Sequence, residues 1–188
     1  MKRIAVFASG EGTNTQHLID HFRGSETEIA LVICNNPNAN VLTRAATSGI
    51  PSLLADKEAL YKKDSVLKKL QSLGADLIVC AGFLWKVPDN ILKTFPDKVV
   101  NVHPALLPKF GGKGMYGLHV HKAVIAAGEK ESGITIHYVN EQYDEGKIIL
   151  QKKCAVDKSD TPESLAQKVQ KLEHEWFPKT IETILTKN

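Results

Sequence analysis

The stretch RIAVFASGEGTNTQHLIDHFR, residues 3–23, joins a short apolar run to an amphipathic segment through a glycine-rich turn. The apolar run over 3–8 is nearly continuous, which is typical of a strand that is covered on both faces of a parallel sheet. The segment 13–23 has the apolar spacing of a helix. Because a strand followed directly by a helix is the first half of a βαβ unit, this stretch predicts an α/β fold.

The same alternation continues as far as residue 103. Apolar runs predict further strands over 28–35, 51–55, 75–82 and 98–103. Helical spacing lies between them, over 40–48, 58–73 and 89–95. Since successive βαβ units join parallel strands by right-handed crossovers, we predict a Rossmann-like, doubly wound and mostly parallel sheet with helices on both faces.

The pattern changes after residue 103. The segment HPALLPKFGGKGMYG, residues 103–117, is too irregular for a helix or strand and too apolar for a disordered linker, so we predict a packed loop. A short helix over 118–127 and two strands, over 133–139 and 147–156, are expected to follow.

The last part of the chain predicts one terminal helix. Asp160 or Thr161 is expected to cap it, Pro162 suits its first turn, and Pro178 should kink or interrupt it. No composition shift marks a domain boundary, so we expect a single domain over 1–188.

Composition restricts the class of protein. The chain has 188 residues, of which 43% are hydrophobic, enough for one domain with a sizeable core. The net charge of +3 is spread along the chain, so it is compatible with an anionic small ligand and does not require nucleic acid. No apolar run approaches the roughly 18 residues of a membrane span, and the N-terminus lacks the features of a signal peptide. We expect small-molecule substrates, no nucleic-acid or membrane partner, and a cytoplasmic protein that is a monomer or a homodimer.

The glycine-rich turn is the first candidate site. Gly10 and Gly12 let a ligand approach the backbone, and the N–H groups at the start of the following helix suit a phosphate. Thr13 and Asn14 are either a helix cap or additional donors to phosphate oxygens. The stretch lacks the Gly-Lys-Ser/Thr ending of a P-loop and the third glycine of a dinucleotide fingerprint, so a plain tight turn stays open as the alternative.

A second candidate lies at the end of the strand over 98–103. Asn101 and His103 are two residues apart, so their side chains share one face at the carboxyl end of the sheet, where open α/β folds bind ligands. An amide and an imidazolium are suited to stabilise an oxyanion and to donate a proton. A hydrogen-bonded histidine that only anchors the following loop is the alternative.

The turn before the last strand supplies acidic residues. Asp144 and Glu145 are either ordinary solvated turn residues or, in the functional interpretation, Asp144 lies beside His103. A carboxylate in that place would favour the charged imidazole and raise its pKa. His119 and His121 have the spacing of metal ligands, but no matching third ligand is evident, so we expect no metal site.

Several segments, in this order and spacing, together resemble one enzyme family, the folate-dependent phosphoribosylglycinamide formyltransferases. They are SGEGTN (9–14), AGF (81–83), NVHPALLPKF (101–110), GLHVHKAV (117–124), SGITIHYV (132–139), YDEGKIILQ (143–151) and LEHEWFP (172–178). The resemblance covers almost the whole chain. It implies the formyltransferase fold, 10-formyltetrahydrofolate as cosubstrate, no metal, and formyl transfer to the amine of glycinamide ribonucleotide in purine (IMP) synthesis.

The resemblance also assigns residues to roles. The implied catalytic set is Asn101, His103 and Asp144. The implied ribonucleotide-binding set is Gly12, Thr13, Asn14, Lys57 and Glu173, with the glycine-rich loop on the phosphate and Glu173 on the glycinamide end. The implied folate-binding set is Leu84, Trp85, Lys86, Val87, Asn101, Val139, Asn140, Glu141 and Asp144. Here AGFLWKV stands where many members have AGFMRIL, so side-chain contacts at Trp85 and Lys86 differ from the family pattern, whereas backbone contacts do not depend on it.

Other functions remain as alternatives. Methionyl-tRNA formyltransferase shares the Asn/His strand but has an additional RNA-binding domain, for which 188 residues are expected to be too few. Formyltetrahydrofolate hydrolase shares the core but has an added N-terminal domain and lacks the SGEGTN loop. A phosphate- or nucleotide-binding module without catalysis would leave the combination of Asn101, His103 and Asp144 unexplained.

Overall fold

The computed structural model describes residues 1–187, which form one seven-stranded sheet and seven helices. The strands are β1 (Lys2–Ala8), β2 (Thr27–Cys34), β3 (Ser52–Leu54), β4 (Leu77–Cys80), β5 (Val99–His103), β6 (Glu131–Tyr138) and β7 (Ile148–Ala155). The helices are α1 (Thr13–Phe22), α2 (Asn40–Thr47), α3 (Lys57–Tyr61), α4 (Ser65–Leu73), α5 (Asp89–Thr94), α6 (Leu118–Ala126) and α7 (Pro162–Lys187).

The strand order is β3-β2-β1-β4-β5-β6-β7. The first five strands in the chain pair in parallel, whereas β6 runs antiparallel to both β5 and β7. The chain moves outward from β1 to β3 and then returns to β4 on the other side of β1. The predicted doubly wound, mostly parallel sheet is confirmed, and the reversal between β1 and β4 is where such a sheet opens a crevice for a ligand.

Alternate residues of the inner strands face two separate cores. Ile4, Val6 and Ala8 pack with α1, α2, α6 and α7 on one face of the sheet, and Ala5 and Phe7 pack with α3, α4 and α5 on the other. Because both faces are covered, the strand reads as a continuous apolar run rather than as an alternation.

The predicted single helix over 58–73 is wrong, since α3 and α4 are separate helices. Asp64 interrupts them with a left-handed backbone conformation at a φ of 51°, which Asp tolerates better than most residues. The side-chain amide of Asn90 donates to the carboxylate of Asp64. The hydroxyl of Ser65 donates to the carbonyl of Ala59 at 3.0 Å. Local polar contacts therefore replace the continuous helix that the apolar spacing indicated.

The terminal helix begins where the sequence predicted. Thr161 is the cap: its hydroxyl accepts from the amide of Ser164 at 3.2 Å, and its own amide donates to the Ser164 hydroxyl at 3.0 Å. The predicted interruption at Pro178 is wrong, because α7 runs through it without a break. Pro178 and its neighbours Phe177 and Ile181 are buried, and this packing offsets the missing backbone hydrogen bond. None of the helices within residues 1–187 is both long and apolar enough to cross a membrane.

Candidate active site

Asn101 and His103 stand at the carboxyl end of β5, as the sequence predicted. The neighbouring strand β6 places His137 opposite Asn101 and Thr135 opposite His103. The side chain of His103 is almost completely enclosed, with 3% of the residue exposed. Two polar residues of β5 therefore meet two polar residues of β6 inside the protein.

The loop after β5 folds back over this strand end. Thr135 anchors it: its buried hydroxyl donates to the carbonyl of Ala105 at 2.7 Å and accepts from the amide of Leu107 at 3.0 Å. The loop then brings the carbonyl oxygen of Phe110 within 2.8 Å of His103 Nε2. A carbonyl oxygen can only accept, so Nε2 carries a hydrogen and Nδ1 is the nitrogen left to exchange a proton.

Asp144 comes to this point from the turn between β6 and β7. Its Oδ2 lies 3.5 Å from His103 Nδ1 and accepts from the amide of Gly112 at 2.9 Å. Its Oδ1 lies 3.6 Å from His137 Nε2. The backbone of Asp144 is left-handed, with a φ of 58°, so the turn aims the carboxylate inward between two imidazoles.

The pKa of His103 is lower than its ordinary value. Burial lowers it, and the charge of Asp144 and the hydrogen bond to Phe110 oppose that effect without cancelling it. The raised pKa that the sequence argument predicted for His103 is therefore wrong in its net direction, because a sequence does not show how completely a ring is enclosed. Burial raises the pKa of Asp144, but its contact with His137, the charge of His103 and the hydrogen bond from the Gly112 amide together bring it below its usual range.

Asn101, His103 and Asp144 lie on the wall of a cavity of about 880 Å³. The predicted site residues that line it are Asn14, Leu84, Asn101, His103, Asp144 and Glu173. The cavity extends from the end of β5 to the contact between α1 and α7 and takes in the glycine-rich segment 112–117. It thus joins the predicted catalytic residues to part of the predicted phosphate site.

The first turn of α1 meets the middle of α7 through polar side chains. Asn14 Nδ2 donates to Glu173 Oε2 at 2.7 Å, and Gln170 Nε2 donates to the hydroxyl of Thr13 at 3.3 Å. Burial raises the pKa of Glu173 to about 7, although the hydrogen bond from Asn14 acts in the opposite direction. The other amide atom of Asn14, Oδ1, is buried without a partner among residues 1–187, so it is available to a ligand donor.

The glycine-rich turn packs directly on α2. Gly12 has a φ of 71°, and a Cβ at this position would lie 2.6 Å from the Cβ of Val41. The amide of Val41 donates to the carbonyl of Gly10 at 3.1 Å, and Arg44 Nε donates to the carbonyl of Glu11 at 2.8 Å. Gly12 is therefore needed for packing as well as for any ligand approach.

Arg44 is a residue that the sequence argument missed. It stands beside the glycine-rich turn, whereas Lys57, the predicted basic residue, lies with its Nζ 5.7 Å from the ring centre of Trp85. Nothing in the sequence distinguishes Arg44 from other basic residues on helices, because its contact depends on how α2 packs against the turn.

The remaining predicted folate residues lie outside the lining of the large cavity. Trp85 is half-buried beside Tyr61, Lys86 pairs with Asp89 at 3.0 Å, and Val87 is buried in the core. In the second predicted folate segment, the backbone amide of Val139 donates to the carbonyl of Val99 at 2.8 Å. Asn140 and Glu141 are exposed.

Two buried histidines also belong to this region. His137 contacts Asn101 and Asp144, and His121, which is 4% exposed, lines the cavity with its Nδ1 unpartnered among residues 1–187. A polar residue within the apolar strand 133–139 was the available signal for His137, but the sequence does not show which residue it faces. Residues 1–187 contain no group of three or more His, Cys, Asp or Glu side chains that could hold a metal ion. The reaction without a metal remains a prediction.

Comparisons with known proteins agree with one another. A family profile described as formyl transferase matches residues 2–181. Phosphoribosylglycinamide formyltransferase of Bacillus subtilis (strain 168) is 36% identical over 100% of this chain and 97% of that protein. The chloroplastic phosphoribosylglycinamide formyltransferase of Arabidopsis thaliana is 37% identical over 97% of this chain and 65% of that protein, just under two thirds of its length. The crystal structure of phosphoribosylglycinamide formyltransferase from Bacillus halodurans has a TM-score of 0.89 and 36% identity, covering 99% of this chain and 96% of that one.

Proposed function

The chain belongs to the formyl transferase family, and we propose that it transfers the formyl group of 10-formyltetrahydrofolate to the primary amine of glycinamide ribonucleotide, a step of purine (IMP) synthesis. The observation that carries the proposal is the meeting of Asn101, His103 and Asp144 on the wall of one cavity that also reaches Asn14 and Glu173. A binding module without catalysis would not require an amide, an imidazole and a carboxylate at one buried point.

The reaction needs three changes at the formyl group, and these residues suit each of them. The amine attacks the formyl carbon and loses a proton, the formyl oxygen carries negative charge in the tetrahedral intermediate, and the bond from the formyl carbon to the folate nitrogen breaks as that nitrogen gains a proton. Asn101 supplies amide hydrogens for the oxygen, an interaction that strengthens as charge develops. His103 supplies an imidazole, which can accept a proton and give it up again.

The proton-handling atom of His103 is Nδ1. Its Nε2 hydrogen is committed to the carbonyl of Phe110, so only Nδ1 can take a proton from the amine and return one to the leaving nitrogen. Because burial lowers the pKa of His103, the ring is mostly neutral at neutral pH and ready to accept. Asp144, 3.5 Å from Nδ1, stabilises the imidazolium that forms.

The ribonucleotide site follows from the α1 and α7 contact. The backbone N–H groups at Gly12, Thr13 and Asn14 suit the phosphate, at the positive end of α1. Glu173, half-buried beside Asn14, suits the glycinamide end, because an amine N–H can donate to its carboxylate. Arg44, anchored on the carbonyl of Glu11, adds positive charge beside the same turn.

The folate site is proposed on the stretch from Leu84 to Val87 and on the turn from Val139 to Asp144. Leu84 and Asp144 line the cavity, so these two segments reach the reacting centre from different strands. Backbone groups of both segments suit a pterin edge, whatever side chain stands at Trp85 or Lys86.

The proposal extends to the domain, the partners, the cellular location and the oligomeric state. We propose one catalytic domain over 1–188, small-molecule substrates, no metal or nucleic-acid partner, a cytoplasmic location, and a monomer or homodimer. Support comes from the single sheet that runs from β3 to β7 and from the names of the relatives, which specify a small-molecule substrate.

A direct assay tests the function. The purified chain is mixed with 10-formyltetrahydrofolate, and the absorbance of the folate product is followed with three acceptors: glycinamide ribonucleotide, water and charged initiator tRNA. We expect turnover with the ribonucleotide alone. Turnover with tRNA alone, or hydrolysis that is indifferent to the ribonucleotide, would contradict the proposal.

A further inference from the structure

His137 is a buried titratable residue that lies between two of the residues assigned to the reaction. Only 2% of it is exposed. Its Nδ1 lies 2.9 Å from the carbonyl oxygen of Tyr138, and since this oxygen can only accept, Nδ1 carries a hydrogen. The ring orientation is thereby fixed, and Nε2 is the nitrogen whose proton can come and go.

Nε2 of His137 faces two partners with opposite requirements. Asn101 Nδ2, a donor, lies 3.2 Å away, and Asp144 Oδ1, an acceptor, lies 3.6 Å away. A bare Nε2 accepts from Asn101, whereas a protonated Nε2 donates to Asp144. The same atom cannot do both at once, so its protonation state selects its partner.

Among residues 1–187, two titratable groups lie beside this ring. The titratable groups that face it are Asp144, from the turn before β7, and His103, from β5. Its cross-strand partner on β7 is Ile148, which carries no charge.

We propose that His137 is a positioning residue. Its Nε2 binds the Asn101 amide when it carries no proton and the Asp144 carboxylate when it is protonated. The idea deepens the proposed function and rests on it. With Nε2 bare, one amide hydrogen of Asn101 is fixed on the ring and the second is left for the formyl oxygen. With Nε2 protonated, the ring binds Asp144 and the Asn101 amide loses its acceptor, so turnover falls on the acid side.

Two substitutions separate this role from a merely structural one. In His137→Gln the side-chain amide offers an acceptor to Asn101 and a donor to Asp144 together, and it does not titrate. We expect turnover at pH 8 to stay within about threefold of the parent and to fall less steeply toward pH 6. In His137→Leu both contacts are lost, so we expect turnover to drop on the order of 10-fold to 100-fold, with little change in KM. His21→Gln, at the surface contact with Glu182, is the matched control and should change neither quantity.

A measurement without substrate keeps the proposal testable even if the assigned reaction is wrong. NMR of the free protein should show the Asn101 side-chain amide signals shifting with pH together with the ring of His137, and this shift should be absent in His137→Gln. Parent and Gln variants with the same pH profile, or Asn101 signals that do not follow the ring, would overturn the proposal. Absence of formyl transfer together with the coupled NMR shift would contradict the proposed function and leave the coupling supported.

Discussion

Asn14 and Glu173 lie 159 positions apart in the chain, yet Asn14 Nδ2 is 2.7 Å from Glu173 Oε2. This hydrogen bond joins the first turn of α1 to the middle of α7 on the wall of the cavity. Because the pKa of Glu173 is raised to about 7 by burial, its carboxyl is divided between two protonation states at neutral pH. An amine ligand would favour the charged state.

Glu173→Gln should stabilise the protein at pH 8 while weakening its substrate site. The folded-state pKa of about 7 lies above the ordinary 4.5, so the folded protein binds more protons than the unfolded chain between these values. Stability therefore falls as pH rises through this window, and Gln removes that loss. We expect a free energy of unfolding higher by about 2 kcal/mol at pH 8 and nearly unchanged at pH 4.5. Urea unfolding at both pH values measures this difference.

Glu173→Gln should also weaken the binding of the ribonucleotide. Removal of the carboxylate should raise the KM for the ribonucleotide about tenfold, the effect of one charge-assisted hydrogen bond, with the folate KM unchanged. Equal stability gains at both pH values would show that the carboxyl of Glu173 does not titrate in this window.

The prediction from sequence was most successful where the periodicity of the side chains determines the structure. The strand 3–8 and the pair Asn101 and His103 follow from apolar runs and from the two-residue repeat of a strand. The break at Asp64 could not be predicted, because a left-handed residue held by the Asn90 amide leaves the apolar spacing of 58–73 intact.

The parts of the site that sequence did not predict depend on packing between distant segments. Arg44 reaches the carbonyl of Glu11 only because α2 packs on the glycine-rich turn. His137 reaches Asp144 only through the turn that joins β6 to β7. The net direction of the His103 pKa also depends on enclosure by the loop after β5, which no local pattern reveals.

Asp144→Asn should lower turnover on the order of 100-fold and move the titration of His103 further toward acid. The charge of Asp144 raises the pKa of His103 against the effect of burial, so its removal leaves burial less opposed. Asn is the suitable replacement because it tolerates the φ of 58° and can still accept from the Gly112 amide. Imidazole signals followed by NMR across pH measure the shift.

The double variant tests whether the two residues act as a unit. His103→Ala alone should be nearly inactive, and adding Asp144→Asn should cost little more. Unchanged His103 titration in Asp144→Asn, or losses that simply multiply, would mean that the carboxylate does not act through the imidazole.

Arg44→Met should raise the KM for the ribonucleotide about threefold to tenfold without changing the KM for the folate. Arg44 holds the carbonyl of Glu11 and brings positive charge to the proposed phosphate site, and Met removes both while keeping the length of the side chain.

Lys57→Met tests the residue implied by the family resemblance, and Lys62→Met, at the exposed end of α3, is the matched control. Gly12→Val would be ambiguous, because its side chain would collide with Val41. If Lys57→Met raised this KM and Arg44→Met did not, the cation that assists the phosphate would be Lys57 of α3 and not Arg44 of α2.

His174→Phe should make the protein less sensitive to acid. The rings of His17 and His174 are stacked with their centres 3.8 Å apart, and burial, with a smaller effect of His17, lowers the pKa of His174 to about 4. Between pH 6.5 and pH 4 the unfolded chain binds a proton at this position that the folded protein does not, so stability falls as the pH falls.

Phe keeps the stacked ring without the proton, and it also replaces Nε2, which is buried without a partner among residues 1–187. Removal of this unpartnered nitrogen should raise stability at every pH, and we expect the gain over the parent to be about 2 kcal/mol larger at pH 4 than at pH 8. Glu173 acts in the opposite direction over part of this range, so both proteins are compared at each pH. Parallel stability curves for the two proteins from pH 8 to pH 4 would mean that His174 takes up its proton equally in the folded and unfolded states.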